Sequence, residues 1–167
     1  PTPEVDYSQM TIEELKPLLQ TVNEGKLTMA TSPDFAPSEF YVIGDDGTPT
    51  LAGMDIALAE YIADYLGLEL EITTIDFDGV LMEIQNKSAD IALAGLAADP
   101  KRENIMTFTV PYEVAEDSNQ CFICLEDMKD TFTTLEATND PQYQIGAQIG
   151  SIQADFAAKF SPDAEII

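Results

Sequence analysis

Histidine and tryptophan are absent from this 167-residue chain, basic side chains are scarce, and cysteine occurs only twice. Without histidine, the chain lacks the most common general acid–base catalyst and a frequent zinc ligand. Seven Lys and Arg stand against 31 Asp and Glu, giving a formal net charge of −24. Because such a surface repels phosphates and anionic lipid headgroups, we expect no nucleic-acid partner. We interpret the charge as a device for solubility, with cation binding as the alternative.

The two cysteines, Cys121 and Cys124, lie in the β-branched and aromatic run "QCFICLE". In a strand, residues three apart point to opposite faces, so a bridge between them would need other geometry. We therefore expect two reduced thiols, in the core or at the surface. A zinc site would need further ligands, and the sequence offers neither histidine nor a third cysteine. No metal, cofactor or catalytic residue is predicted.

Long apolar runs are also missing, since no stretch approaches the roughly 18 residues of a membrane span. The first residues lack the basic and apolar regions of a signal peptide, so the chain is either cytosolic or has lost its export signal. The 45% hydrophobic content is enough to fill the core of one domain, or of one domain and a fraction.

Residues 1–24 form a predicted N-terminal extension with a short helix. Thr11 is placed as its N-cap, and Glu14 three residues later completes a capping box. Pro17 makes the continuation of this helix uncertain.

The segment from residue 26 to 96 alternates strand and helix signals. We predict strands at 26–32, 68–75 and 89–96, helices from Gly53 to a stop at Gly67 and over 77–88, and a hairpin around "GDDGTPT". This alternation predicts a parallel α/β sheet. Ligands of such sheets bind at the carboxyl ends of the strands, here the loops "SPDFAPSEF", "IDFDG" and "GLAADPKR".

After residue 112 the pattern changes. "SNQCFICLE" is predicted as a strand, "MKDTFTTLEATND" as a short helix or turn, "YQIGAQIGSIQADFAAKF" as strand, glycine turn and helix, and "SPDAEII" as the opening of another strand. A sheet of two or three strands is poorly sealed, so we expect this second unit to be incomplete.

Five motifs in this order resemble the type II periplasmic or lipoprotein solute-binding proteins of ABC importers, in the polar amino acid-binding branch (bacterial extracellular solute-binding proteins, family 3). They are "GKLTMATSPDFAPSEF", "GMDIALAEYIADYLGLELE", "FDGVLMEIQNKSADIALAGL", "DPKRENIMTFTVPY" and "QIGAQIGSIQADF", spanning about residues 25–160. The resemblance implies an α/β fold of two lobes that close on the solute. Lobe 1 would cover 25–111, a hinge crossing 112–119 and a partial lobe 2 120–167.

By the same resemblance, the protein is extracytoplasmic, periplasmic or anchored as a cell-surface lipoprotein, and delivers a free amino acid or similar small zwitterion to an ABC permease without catalysing a reaction. Acidic neighbours of the site, Asp34 and Glu39, hint at a cationic ligand side chain. One alternative is a truncated sensor or assembly half-domain that forms homo-oligomers or swaps strands through its incomplete lobe 2. A minor alternative is a dehydratase-like enzyme that uses carboxylates.

The family's arginine that grips the α-carboxylate corresponds to Arg102, whose planar guanidinium matches a carboxylate. The alternative is a surface arginine paired with Glu103. The loop residues Gly95, Leu96 and Ala97 correspond to the family segment that contacts the ligand. Ala97 replaces a common hydroxyl residue. Asp99, where threonine is usual, either accepts a hydrogen bond from ammonium or caps a helix starting at Pro100.

The family's aromatic residue over the ligand corresponds to Phe35, and Phe77 matches a residue of the opposite wall; packing in the core is the alternative for both. Ser38 replaces a second aromatic residue. In the second lobe, Ser151 and Ile152 lie at a strand-to-helix turn whose N–H groups suit a carboxylate. N-capping alone would also explain the serine.

Overall fold

The computed structural model describes residues 7–113 and 120–167. The chain divides into two compact units, the first ending at Thr107 and the second covering Phe108–Ile167. Residues 1–6 of the predicted extension and 114–119 of the predicted hinge crossing lie outside the described residues. The lobe boundaries that the sequence suggests, 25–111 and 120–167, stay predictions.

The first unit opens with the predicted capped helix, α1 (Ile12–Leu15). The Glu14 carboxylate accepts hydrogen bonds from the backbone N–H and the hydroxyl of Thr11, at 2.8 and 2.9 Å, which confirms the capping box. A 3-10 turn over Lys16–Leu18 follows, so the α-helix ends before Pro17.

The remaining elements of this unit follow the predicted alternation. They are β1 (Lys26–Thr31), β2 (Asp34–Phe35), β3 (Glu39–Ile43), β4 (Pro49–Ala52), α2 (Met54–Leu66), β5 (Glu69–Thr74), α3 (Phe77–Gln85) and β6 (Ile91–Ala92). Strands β5, β1 and β6 form a parallel sheet in that order, and β2, β3 and β4 form an antiparallel one. The predicted parallel sheet and hairpin are confirmed, although the strand expected over 89–96 has only two residues.

The core lies on both faces of β1, the central strand of the parallel sheet. Successive strand residues point to opposite faces. Met29 packs with Ile56 and Ala59 of α2, whereas Ala30 packs with Phe77 and Val80 of α3. The sheet is therefore sandwiched between one helix on each side, which explains why β1 reads as a nearly continuous buried run.

Backbone bonds fix the start of α2 against the loop that precedes β3. The N–H of Met54 donates to the carbonyl of Pro37 at 3.1 Å, and the N–H of Asp55 donates to that of Ser38 at 2.9 Å. Loop carbonyls thus satisfy helix N–H groups that would otherwise lack a partner. At its other end α2 stops at Gly67, whose left-handed conformation (φ 73°) confirms the predicted C-terminal signal.

The second unit contains β7 (Gln144–Ile145), α4 (Ile152–Phe160) and β8 (Glu165–Ile166), with β7 and β8 paired in parallel. A 3-10 turn over Leu135–Thr138 lies where a short helix or turn was predicted, whereas a second one, Glu126–Met128, reaches that segment only at Met128. The strand predicted around the cysteines is wrong over the described residues 120–125, which pair with no strand. Ile123 is 92% exposed, and both cysteines are unbridged and exposed.

Across residues 7–113 and 120–167, no helix combines the length and the apolar character that crossing a bilayer requires.

Candidate functional site

Three loops of the first unit meet at one edge of the parallel sheet. Because β1, β5 and β6 run parallel, their carboxyl ends share an edge. Phe35 follows β1, Phe77 follows β5, and the segment from Gly95 to Arg102 follows β6. The topology therefore brings the predicted site residues of the first unit to this edge, as the sequence predicted.

Arg102 is buried at this edge, with only 7% of the residue exposed. Its guanidinium carbon lies 5.5 Å from the centroid of the Phe77 ring, and its Nη1 donates a hydrogen bond to the carbonyl of Ala97 at 3.2 Å. The ring face attracts the cation, and the carbonyl fixes one corner of the guanidinium fork. The alternative of a surface arginine is therefore wrong.

Arg102 lies in a turn. The prediction of a helix starting at Pro100 is therefore wrong. The N–H of Arg102 donates to the carbonyl of Asp99 at 2.8 Å, and the N–H of Lys101 donates to the Asp99 carboxylate, also at 2.8 Å. The N–H of Ile105 then donates to the carbonyl of Arg102. Asp99 therefore caps a turn and not a helix. The backbone hydrogen bonds donated by Arg102 and Ile105 each span three residues, as in a turn.

The backbone of Gly95 lies against the ring of Phe35. Gly95 has a φ of +57°, and a Cβ there would lie 2.9 Å from two carbons of the Phe35 ring. Both the conformation and the contact require glycine. Phe35 is 52% exposed, so it does not fill the core. Phe77, by contrast, is part of the core cluster, against which Leu96 packs.

A pair of buried carboxyl groups, which the sequence did not single out as a pair, lies beneath this loop. The N–H of Gly95 donates to Asp55 Oδ2 at 3.2 Å. Asp55 is fully buried, and Glu39 is 1% exposed. Burial, and after it the neighbouring carboxyl groups of Asp55 and Asp34, together raise the pKa of Glu39 to about 8.

The local sequence around each residue gives no signal that the two form a pair. Asp55 is the second residue of a helix that opens with glycine, and Glu39 begins a strand after a proline loop. From its neighbours in the sequence, each residue would be interpreted as a solvent-exposed side chain at the end of a helix or strand. Only the short hairpin that joins the two elements brings them together.

In the second unit, Ser151 is the N-cap of α4. Its Oγ accepts a hydrogen bond from the N–H of Ala154 at 3.1 Å, and Ile152 is the first residue of the helix. The capping interpretation of Ser151 is therefore confirmed. Its contact with a ligand, like that of Ile152, stays a prediction.

Comparison with known proteins agrees with this geometry. The model of the bacterial extracellular solute-binding proteins, family 3, matches residues 27–139. The arginine-binding extracellular protein ArtP of Bacillus subtilis is 30% identical over 139 residues, which are 83% of this chain and 49% of that protein.

Two crystal structures share the fold. An amino acid ABC transporter substrate-binding protein from Streptococcus pneumoniae, bound to L-arginine, superposes with a TM-score of 0.75 at 33% identity, covering 93% of this chain and 60% of that one. An ancestral amino acid-binding protein, a precursor of cyclohexadienyl dehydratase, gives a TM-score of 0.73 at 27% identity, covering 95% and 64%.

These likenesses confirm the predicted α/β fold of the two-lobe binding proteins. The chain spans about half the length of the ArtP relative and less than two thirds of both solved structures. The family match covers more than half of the chain. On this match, the chain belongs to the bacterial extracellular solute-binding proteins, family 3.

Proposed function

We propose that this protein captures a free amino acid, or a similar small zwitterion, outside the cytoplasm and presents it to an ABC permease. The observation that carries the proposal is the buried guanidinium of Arg102, held over Phe77 at the carboxyl edge of the sheet. A carboxylate that reaches a desolvated guanidinium gains a charge-assisted bond stronger than a neutral one. The permease and the periplasmic or lipoprotein location are part of the proposal, made by analogy with the family.

Each residue of the first unit has a role in this proposal. Arg102 binds the α-carboxylate, and the backbone of Gly95, Leu96 and Ala97 adds polar groups beside it. Phe35 presents a half-exposed ring that covers the aliphatic part of the ligand. In the second unit, Ile152 supplies an N-terminal N–H group of α4 and Ser151 its hydroxyl.

We propose a cationic amino acid as the ligand, with L-arginine as the first candidate. One relative is named as an arginine-binding protein, and the crystal structure of another contains bound L-arginine. The chain's large negative charge attracts cations at long range. Of the two acidic neighbours that the sequence suggested, Glu39 is buried, whereas Asp34 is exposed on β2. Asp34 is therefore the carboxylate we assign to the ligand's cationic end.

We further propose that the site is not catalytic. A general acid or base must reach the atom whose proton it moves. Glu39 has a strongly raised pKa, but it is almost completely buried. The Glu39 carboxyl therefore does not exchange a proton with a bound ligand.

A thermal-shift and calorimetric screen of the twenty amino acids tests the proposal. The unmodified chain should bind L-arginine, and Arg102→Ala should lose about 2–5 kcal/mol of binding free energy, roughly 30-fold or more in the dissociation constant. Arg102→Lys keeps the charge but not the fork, and it should still weaken binding. Lys101→Ala, which removes the neighbouring exposed cation, is the matched control and should bind normally.

Equal affinity in Arg102→Ala and Lys101→Ala would contradict the assignment of Arg102. If folded protein bound none of the twenty, the amino acid proposal would be wrong. Molecular mass measured at rising protein concentration tests the assembly alternative, since a monomeric binder keeps one mass.

A further inference from the structure

The carboxyl groups of Glu39 and Asp55 are both buried and both lie against the backbone of Gly95. An ionised carboxylate only accepts hydrogen bonds, so two carboxyl groups can bond to each other only when one of them carries a proton. Two carboxyl groups brought together out of water favour one shared proton, because two buried negative charges would repel each other.

The hydrogen bonds around the pair indicate which group holds the proton. Asp55 Oδ2 accepts the N–H of Gly95, which suits an ionised acceptor. Glu39 Oε2 has no hydrogen-bond partner among the described residues. A buried carboxylate oxygen without a partner is far more costly than the carbonyl oxygen of a neutral carboxylic acid. These contacts favour Glu39 as the protonated member of the pair.

Among the described residues, the charged groups that act most strongly on Glu39 are carboxyl groups. Asp55 from α2 and Asp34 from β2 act on it, and both favour the neutral form. Strand β4, which pairs with β3, carries no titratable side chain. Protonation is thus favoured by every charged group that acts on Glu39.

The pair contacts the loop that runs from Gly95 to Arg102. Asp55 holds the N–H of Gly95, and Glu39 Oε1 lies 3.9 Å from the position that a Cβ of Gly95 would take. If both buried groups were ionised, their negative charges would repel each other, which would separate the pair and release the Gly95 N–H. The loop beside Arg102 therefore depends on the proton.

We propose that Glu39 and Asp55 share a single proton and act as a positioning pair for the Gly95 loop, which makes ligand affinity depend on pH. The link to affinity rests on the proposed function, whereas the pair itself is tested without ligand. Neither residue touches the ligand; both act through the backbone of Gly95.

The first experiment follows the Gly95 amide of the full, ligand-free chain by NMR from about pH 5 to about pH 9, a window set by the raised pKa of Glu39. We expect the amide to titrate as Glu39 loses its proton. In Glu39→Gln the side-chain amide donates to Asp55 permanently, so the titration should vanish. Asp55→Asn supplies a donor to an ionised Glu39, so the titration should move to lower pH. Glu60→Gln, on the exposed side of α2, should titrate like the unmodified chain.

Thermal stability gives a second readout without ligand. The pKa of Glu39 rises from its ordinary 4.5 to about 8 on folding, so the folded state binds more protons between these values. Stability is therefore full below about pH 4.5 and falls as the pH rises through about 8. The decline should disappear in Glu39→Gln and persist in Glu60→Gln.

Affinity for L-arginine completes the test. The dissociation constant of the unmodified chain should rise by at most about tenfold per pH unit above the pKa of Glu39, and that of Glu39→Gln should stay flat. A Gly95 amide that does not titrate, or that titrates equally in Glu39→Gln, overturns the pair. An intact titration with pH-independent affinity overturns its link to binding. If L-arginine binds at no pH while the titration is intact and vanishes in Glu39→Gln, the proposed ligand is wrong and the pair is supported.

Discussion

A side chain at Gly95 would meet two separate obstacles, an unfavourable backbone conformation and the ring of Phe35. Gly67 offers a matched comparison, because its φ is +73° and a Cβ there would meet no atom within 4 Å. We expect Gly67→Ala to lower the free energy of unfolding by about 1–2 kcal/mol, the cost of left-handed backbone alone. Gly95→Ala should cost more, because Phe35 must also move.

Urea unfolding of both variants measures this difference. Adding Phe35→Ala to Gly95→Ala should bring its cost back toward that of Gly67→Ala, since the clashing ring is gone. Equal costs for the two single variants would show that the ring yields freely, and the contact would then have no role in shaping the loop.

The sequence predicted individual residues of the site better than it predicted which of them contact one another. Arg102 and Phe35 were identified because their motifs survive in order, and their burial and exposure agree with the proposed roles. The pairing of Glu39 with Asp55 could not be predicted, because it joins a strand and a helix through the fold of a hairpin. A carboxylate near a helix N-terminus is usually explained by the helix dipole alone.

Helix α4 depends on its N-cap, Ser151. Replacing an N-cap serine with alanine leaves an N–H of the first turn without its partner. We expect Ser151→Ala to lower the free energy of unfolding by about 1 kcal/mol, measured by thermal denaturation followed by circular dichroism.

Ser151→Asn is the control, because asparagine caps helices about as well as serine and should preserve stability. If this variant is stable but binds ligand less tightly, Ser151 also contacts the ligand through its hydroxyl. A stable Ser151→Ala would contradict the importance of the cap.

Elements with local signals were predicted well, and elements that need a distant partner were not. The capping box of α1, the stop at Gly67 and the hairpin turn each depend on residues a few positions apart. The strand expected around Cys121 and Cys124 has suitable β propensity, yet over the described residues it pairs with no other strand. Propensity describes how a residue fits a sheet and cannot supply the neighbouring strand.

The whole molecule carries a formal net charge of −24, and this charge should make its stability depend on salt. Repulsion among like charges disfavours the compact state, and salt screens it over about 10 Å at 0.1 M. We expect the melting temperature to rise as sodium chloride increases from a few millimolar to about 0.5 M.

Potassium chloride at equal ionic strength is the control, because screening does not distinguish the two cations. A rise with sodium alone would indicate a specific cation site, and a fall with both salts would show that attractive ion pairs outweigh the general repulsion.

The anchoring of the loop before β3 by the first N–H groups of α2 affects how the first unit meets its ligand. The carbonyls of Pro37 and Ser38 are already engaged, and the N–H of Ser38 donates to the carbonyl of Phe35 at 2.9 Å. The conformational entropy of this loop is therefore lost during folding, before any ligand arrives. Preorganisation of this kind spares a ligand that entropy cost, which strengthens binding without any added contact.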